Sequence, residues 1–257
     1  MKFSIKKEIL LEALNKVSKA ISTKNVIPVL AGIKFHLTKR KLTLTASDND
    51  ITIETSIPCD NENIILKEEG SIIIQGKYIL DIVKKLPDPF INIEVVDDLK
   101  ILIYTENSEF NLNGISEKEY PSIELVESKN HIELSKTILK EIVNQTAFAT
   151  SIDENKAILN GINFNIIGNI LECNATDSYR LARKVIPLST SSEENMNIVI
   201  PSRNLVEFTR ILGEGDEKIE VHIFNNKILF KNQNLLFQSR LINGTYPNTS
   251  NLLPKED

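Results

Sequence analysis

The sequence has no tryptophan, two cysteines, two methionines and three histidines among its 257 residues. Two thiols, Cys59 and Cys173, cannot build a disulfide framework, which excludes a small stapled secretory scaffold. No apolar run approaches the roughly 20 residues that span a bilayer. The opening MKFSIKKEIL lacks the apolar stretch of a signal peptide. These absences predict a reduced, cytoplasmic protein with no membrane partner. His36, His131 and His222 have no second His or Cys at metal-ligand spacing, so they read as strand residues and no metal is expected. A Walker A sequence and a Gly-x-Ser-x-Gly elbow are both missing. Gly213-Glu214-Gly215-Asp216 reads as a helix-capping turn rather than a phosphate loop. Nothing assembles a nucleophile, a base and an oxyanion donor, so no catalytic residue and no cofactor are assigned and a non-enzyme is expected.

What is present is ordinary in proportion. Hydrophobic residues make up 41% and charged residues 25%, values of a globular chain and not of a disordered one. The length suits two domains. Isoleucine, with 38 copies, favours strands. The net charge of −5 argues against a nucleic-acid partner only if charge is evenly spread.

An internal repeat organises the chain. Gly32-Ile33-Lys34-Phe35 returns as Gly161-Ile162-Asn163-Phe164, an offset of 129 residues. At that offset Ala46-Ser47-Asp48 becomes Ala175-Thr176-Asp177, and Ile57-Pro58 becomes Ile186-Pro187. Nine of the 29 residues over 30–58 are identical without a gap, well above chance. Further on the offset is 126: Lys77, Asp81, Lys84 and Leu86 meet Arg203, Glu207, Arg210 and Leu212, and Tyr120-Pro121 meets Tyr246-Pro247. A three-residue loop deletion accounts for the change. The repeat predicts two copies of one domain, 1–125 and 126–250.

Each copy reads as α+β, with two helices packed on antiparallel sheets. Ile9, Leu10, Ala13, Leu14 and Val17 recur at helical spacing, as do Ile138, Leu139, Ile142, Val143 and Thr146. Ser135 is placed to cap the latter helix. A second helix is expected over 76–86 and again over 201–212, where Pro201 opens it. Strands fill the rest, with Gly168-Asn169 as a two-residue hairpin turn. Residues 188–197 read as an exposed loop.

Charge is not evenly spread over these elements. The four helices sum to +6, which leaves −11 for everything else. Lys77 and Lys84 are seven residues apart and so share a helix face; Arg203 and Arg210 repeat the spacing. Two readings stand side by side: helix cations that merely solvate an outer face, or a basic helical face that contacts phosphates without reading bases.

Several stretches together resemble the bacterial sliding-clamp family, the beta subunits of DNA polymerase III. They are the opening MKFSIKKEILLEALNKVSKAI, the segment Ile27-Pro28-Val29-Leu30-Ala31-Gly32-Ile33, Leu159-Asn160-Gly161, ATDSYRLA at 175–182, and Gly244-Thr245-Tyr246-Pro247 through Leu253-Pro254. The resemblance runs the whole length. It implies the clamp fold, in which three domain copies per subunit and two subunits head to tail close a homo-oligomeric ring around duplex DNA. It implies a processivity factor of DNA replication that tethers the replicative polymerase, and a phosphate-contacting role for Lys24, Lys77, Lys84, Lys140, Arg203 and Arg210. It implies a pocket for short linear peptides of the polymerase, the clamp loader and repair proteins. Carried over by position, that pocket is Leu159, Thr176, Ser178, Tyr179, Arg180, Leu181, Pro247, Asn251 and Leu252. Ser178 and Tyr179 stand where some members have Gly and His. Without the resemblance, Tyr179-Arg180-Leu181 would read as an ordinary strand. Phe110 and Leu112 fall on the strand that forms the family's subunit interface. Residues 251–257 are expected to begin a linker toward a third copy, which favours a piece of a clamp over a complete two-domain subunit closing as a trimer. A two-domain enzyme with a dispersed site, or an interaction protein without a DNA role, are the readings of other classes.

Overall fold

The computed structural model describes residues 1–22, 27–97, 99–189 and 195–249. The chain divides into two compact units: residues 1–125 with 233–237, and residues 126–232 with 238–257. Residues 233–237 group with the first unit through Asn234, whose backbone carbonyl accepts from the Ser56 N–H at 3.0 Å and whose Nδ2 donates to the Ser56 carbonyl at 2.6 Å.

The first unit opens with β1 (Lys2–Lys6) and α1 (Lys7–Val17). Then come β2 (Gly32–Leu37), β3 (Lys41–Ser47), β4 (Ile51–Pro58), β5 (Ile64–Glu68) and β6 (Gly70–Gln75). Next follow α2 (Gly76–Lys85), β7 (Phe90–Val96), β8 (Lys100–Tyr104) and β9 (Glu109–Asn113). One sheet runs β5-β1-β7-β8-β9; β4, β3, β2 and β6 neighbour one another in that order in another. The pairings among these nine strands are antiparallel.

The second unit repeats this with β10 (Ile132–Ser135), α3 (Lys136–Thr146), β11 (Gly161–Ile167), β12 (Ile170–Thr176) and β13 (Leu181–Pro187). It continues with β14 (Met196–Pro201), α4 (Ser202–Ile211), β15 (Lys218–Ile223) and β16 (Lys227–Asn232); of β17 (Leu235–Arg240), residues 235–237 group with the first unit and 238–240 with the second. One of its sheets is ordered β13-β12-β11-β14, and β10-β15-β16 lie in sequence in another.

The helices explain their own boundaries. α1 buries Leu10, Ala13, Leu14 and Val17, and α3 buries Leu139, Ile142, Val143 and Thr146, at the 129 offset; Ile9 and Ile138, expected with them, sit at the stripe's edge and are only partly buried. The Ser135 hydroxyl accepts the Ile138 N–H at 3.2 Å and caps α3. α2 and α4 start and stop at the 126 offset, each after a strand that feeds it without a break. Both helices end at a leucine, Leu86 and Leu212, that is buried. The change of offset falls between Pro187 and Met196. There the structure departs from the expected loop: Leu188 is buried with its N–H on the Asn169 carbonyl at 2.7 Å, and β14 already begins at Met196. Backbone that can pair with a neighbour does so, because an unpaired N–H is costly once buried.

Glycine at the head of the repeated Gly-Ile-x-Phe motif has a steric cause. A Cβ on Gly161 would stand 2.7 Å from the Ile200 carbonyl and 2.5 Å from Val199 Cγ1. One on Gly32 would stand 2.3 Å from Ile73 Cγ2. The motif marks close approach of strands, β2 to β6 and β11 to β14. Gly168 sits at φ 58°, which the tight β11–β12 hairpin requires.

Candidate nucleic-acid interface and peptide pocket

α1 packs on α2 in the first unit and α3 on α4 in the second. On α2 the buried side is Gly76, Ile79 and Val83, which leaves Lys77, Lys84 and Lys85 exposed with Asp81. On α4 Leu205, Phe208 and Ile211 go inward, and Arg203 and Arg210 are exposed. Among the described residues Lys77, Lys84, Lys85 and Arg203 form no ion pair with a carboxylate, whereas Arg210 pairs with Glu207. Five strand cations behave differently. Lys2 pairs with Glu94, Lys6 with Glu62, Arg183 with Glu172, Lys218 with Glu133 and Lys231 with Glu127. Four cations of α2 and α4 thus have no carboxylate partner among the described residues, as do the strand cations Lys41, Lys67, Lys100 and Arg240, whereas the five strand cations just named are paired.

Four cations of α1 and α3 are engaged by other groups, Lys16 by Glu12 at 2.6 Å. Lys136 is buried against Glu217 at 2.7 Å. That contact holds the Glu217 carboxyl below its usual range. Lys7 donates to the Leu86 carbonyl at the end of α2. Lys140, one of the expected phosphate contacts, donates to the Gly213 carbonyl at 3.1 Å, just past the end of α4. A cation at a helix C-terminus satisfies unpaired carbonyls and the negative end of the helix dipole. Lys24 lies outside the described residues.

The peptide pocket residues come from three segments of the second unit. Leu159 is buried with Val199 and Tyr246, and Ile158 and Ile242 pack on that cluster. The turn between β12 and β13 is built by its own side chains. Asp177 Oδ1 accepts the N–H groups of Tyr179 and Arg180 at 2.9 and 3.0 Å, and its Oδ2 takes Arg180 Nε at 2.9 Å. These bonds hold the Asp177 carboxyl below the usual carboxylate range, the Tyr179 N–H first. The turn needs one left-handed residue, and Ser178 supplies it at φ 82°, a conformation that glycine adopts more readily. Thr176 is buried; its hydroxyl donates to the Arg180 carbonyl at 2.7 Å and accepts from Ser178 N–H at 3.1 Å.

The turn leaves Tyr179 outside, 93% exposed, with the Lys156 ammonium 5.9 Å from its ring centroid. Leu181 is partly buried and Pro247 exposed. Two residues that sequence reasoning did not select belong to this surface. Phe148 is 59% exposed beneath the Arg180 guanidinium, 5.7 Å from its ring centroid. Ile152 is 97% exposed and next to Ser151, whose N–H donates to the Leu159 carbonyl at 2.8 Å. Ile152 carried a readable signal, an isolated apolar residue between Ser151 and Asp153 in a polar loop. Phe148 carried none, because which side of its turn meets solvent is set by packing. Beside Pro247 lies a polar cleft of about 300 Å³, lined among others by Asn163, Asn174, Asn197 and Thr249. Asn251 and Leu252 lie outside the described residues.

Phe110 and Leu112 lie on β9, which ends its sheet and pairs only with β8. Phe110 is 38% exposed. An edge strand with an apolar side chain outward is a template for pairing with another chain. Among the described residues no helix is long and apolar enough to cross a membrane.

Comparison with known proteins fits this geometry. The profile of the DNA polymerase III beta subunit N-terminal domain matches residues 1–124, and that of its central domain matches residues 133–248. The beta sliding clamp of Halalkalibacterium halodurans is 44% identical over the whole chain, which covers 69% of that protein. The beta sliding clamp of Bacillus subtilis is 39% identical, again over the whole chain and 68% of its own length. The crystal structure of the Bacillus subtilis DNA polymerase sliding clamp superimposes with a TM-score of 0.96 over 100% of this chain and 68% of that one. By identity, coverage and fold, the chain belongs to the bacterial beta sliding clamp family and is a DNA sliding clamp subunit of the replication machinery.

Proposed function

We propose that this subunit works as a non-catalytic tether. It encircles duplex DNA without reading sequence, and holds the replicative polymerase, the clamp loader and repair proteins through short linear peptides. The observation that carries the DNA part is the set of unpaired cations Lys77, Lys84 and Arg203, with Arg210 beside them, at corresponding positions of α2 and α4. Cations without a carboxylate partner are available to phosphates, and contacts of that kind fix position without selecting bases. Lys24 belongs to the same proposal by resemblance, and Lys140 contributes with the donors that Gly213 leaves free. Ring closure is proposed through β9, where Phe110 and Leu112 meet a partner subunit. The peptide site is proposed at Leu159, Thr176, Ser178, Tyr179, Arg180, Leu181 and Pro247, with Asn251 and Leu252 by resemblance. An extended peptide with one or two apolar anchors and a Gln-like polar residue suits that surface. The reading places the protein in the cytoplasm, in keeping with its two unpaired thiols, Cys59 and Cys173.

The test is duplex binding against salt for Lys77→Glu combined with Arg203→Glu. Affinity should fall equally on unrelated sequences, and the slope of log affinity on log salt should shrink by about 0.9 for each phosphate that is no longer neutralised. A weakening confined to one DNA sequence would contradict the proposal.

A further inference from the structure

His131 and His222 are far apart in the sequence, and spacing alone offered them no shared role. Strand pairing joins them. β10 runs against β15 with Ile132 opposite Val221, which puts His131 beside His222, ring centroids 5.1 Å apart. Two carboxylates meet His222 there. Glu127 comes from the segment just before β10 and Glu220 from β15. One ligand atom each of Glu127, Glu220 and His222 all lie within 4.8 Å of one another.

His222 is the informative member. Its side chain is 1% exposed and its Nε2 has no hydrogen-bond partner. A buried polar nitrogen left unpaired is costly, so it points to something missing. Glu220 Oε2 is 3.4 Å from that Nε2. On the other side of the ring, Nδ1 accepts the Ser128 N–H at 3.0 Å and lies 3.1 Å from the Ser128 carbonyl oxygen. A switch of tautomer that puts the proton on Nδ1 exchanges the Ser128 N–H bond for one to the Ser128 carbonyl, and Nε2 then presents a bare lone pair to a carboxylate. Two electron-rich atoms at this distance are what a cation bridges. Ligand bonds of about 2.0–2.2 Å at a tetrahedral zinc place two donor atoms roughly 3.3–3.5 Å apart. The Ser128 carbonyl is the outer partner that fixes tautomer and ring orientation in such sites.

The cation now filling this place is Lys231. Its Nζ is 2.7 Å from Glu127 Oε2 and 3.5 Å from Glu220 Oε2. The Lys231 hydrogen bond holds the Glu127 carboxyl below its usual range. Lys231 is partly exposed on a flexible stem and can turn out to water. We propose that Glu127, Glu220 and His222 bind a divalent transition cation of the zinc class, and that this ion displaces the Lys231 ammonium. Mixed imidazole and carboxylate donors select that class over magnesium and calcium, which prefer oxygen alone. The bound ion ties the segment 127–131 to β15 within the second unit.

The test is titration of the whole chain with Zn²⁺ by calorimetry, repeated with Co²⁺, whose tetrahedral complexes absorb visible light. One saturable site per chain is expected. Glu127→Gln should weaken Zn²⁺ binding at least roughly tenfold, and unfolding should barely change because Glu127 is exposed. Lys231→Gln should tighten binding, since it removes the competing ammonium. These opposite signs from two surface variants separate the site from scattered surface carboxylates. Failure of both the unaltered chain and Lys231→Gln to bind overturns the proposal. So does unchanged affinity in Glu127→Gln and Glu220→Gln, and a Lys231→Gln chain that binds no more tightly overturns the displacement.

Discussion

The Tyr246 hydroxyl accepts a hydrogen bond from the Thr176 backbone N–H at 3.0 Å. That bond pins the segment leading to Pro247 against the end of β12, where the Asp177–Leu181 turn begins. The same tyrosine recurs in the first unit as Tyr120, opposite Ser47. There the buried hydroxyl lies toward the Ser47 backbone without reaching hydrogen-bonding geometry. Burial raises both phenols above their ordinary value.

The two tyrosines should therefore answer differently to the same substitution. Tyr246→Phe leaves the buried Thr176 N–H without an acceptor and should cost about 1–3 kcal/mol in denaturant unfolding. Tyr120→Phe removes a hydroxyl that already lacks a partner, and should be neutral or slightly stabilising. Equal losses in the two variants would mean that the Tyr120 hydroxyl is bonded in solution.

Leu181 separates a binding role from a packing role. It is only partly buried, so Leu181→Ala should cost well under the 2–5 kcal/mol of a full core truncation. As a peptide anchor it should be worth about 2 kcal/mol, and truncation should weaken a clamp-binding peptide on the order of tenfold or more. Tyr179→Ala, at the open rim, should cost less. Measuring peptide affinity and unfolding on the same variants decides the matter: retained affinity with a large stability loss places Leu181 in the core.

Phe110 tests the open edge. Phe110→Lys puts a charge on the solvent side of β9, the device by which edges are kept apart. Association between chains, followed by sedimentation across a concentration series, should weaken while the fold, followed by circular dichroism, is retained. Association that is indifferent to this change would remove β9 from the interface.

Asp60 sets a local acid limit. Its carboxylate accepts the Asn63 and Glu62 N–H groups at 2.7 and 3.0 Å, and the Asn63 bond foremost holds its pKa down to about 2. A folded value below the unfolded one stabilises the fold above the ordinary carboxylate range, and that stabilisation is lost as pH falls through the folded value. The stability gap between the unaltered chain and Asp60→Ala should be constant near neutrality. It should narrow between about pH 4 and about pH 2. A gap of the same size at both ends of that window would show that the turn draws nothing from the charge.

The sequence by itself determined what depends on near neighbours. The stripe Leu10, Ala13, Leu14, Val17 and its copy in α3 specify two helices with matching ends, because helical periodicity is local. Gly168-Asn169 specifies a hairpin and Ser135 a cap for the same reason. The seven-residue spacing of Lys77 and Lys84, and of Arg203 and Arg210, already placed each pair on one helix face. Tertiary structure alone decided which charges stay available. Lys136 and Lys140 look like Lys77 in the sequence, yet one is buried on Glu217 and the other turned to Gly213, because the partners arrive from distant segments. It alone exposed Phe148 beside Arg180 and brought His131 to His222. Antiparallel register couples residues far apart in the chain, and nothing in the local pattern of either strand encodes which partner it will face.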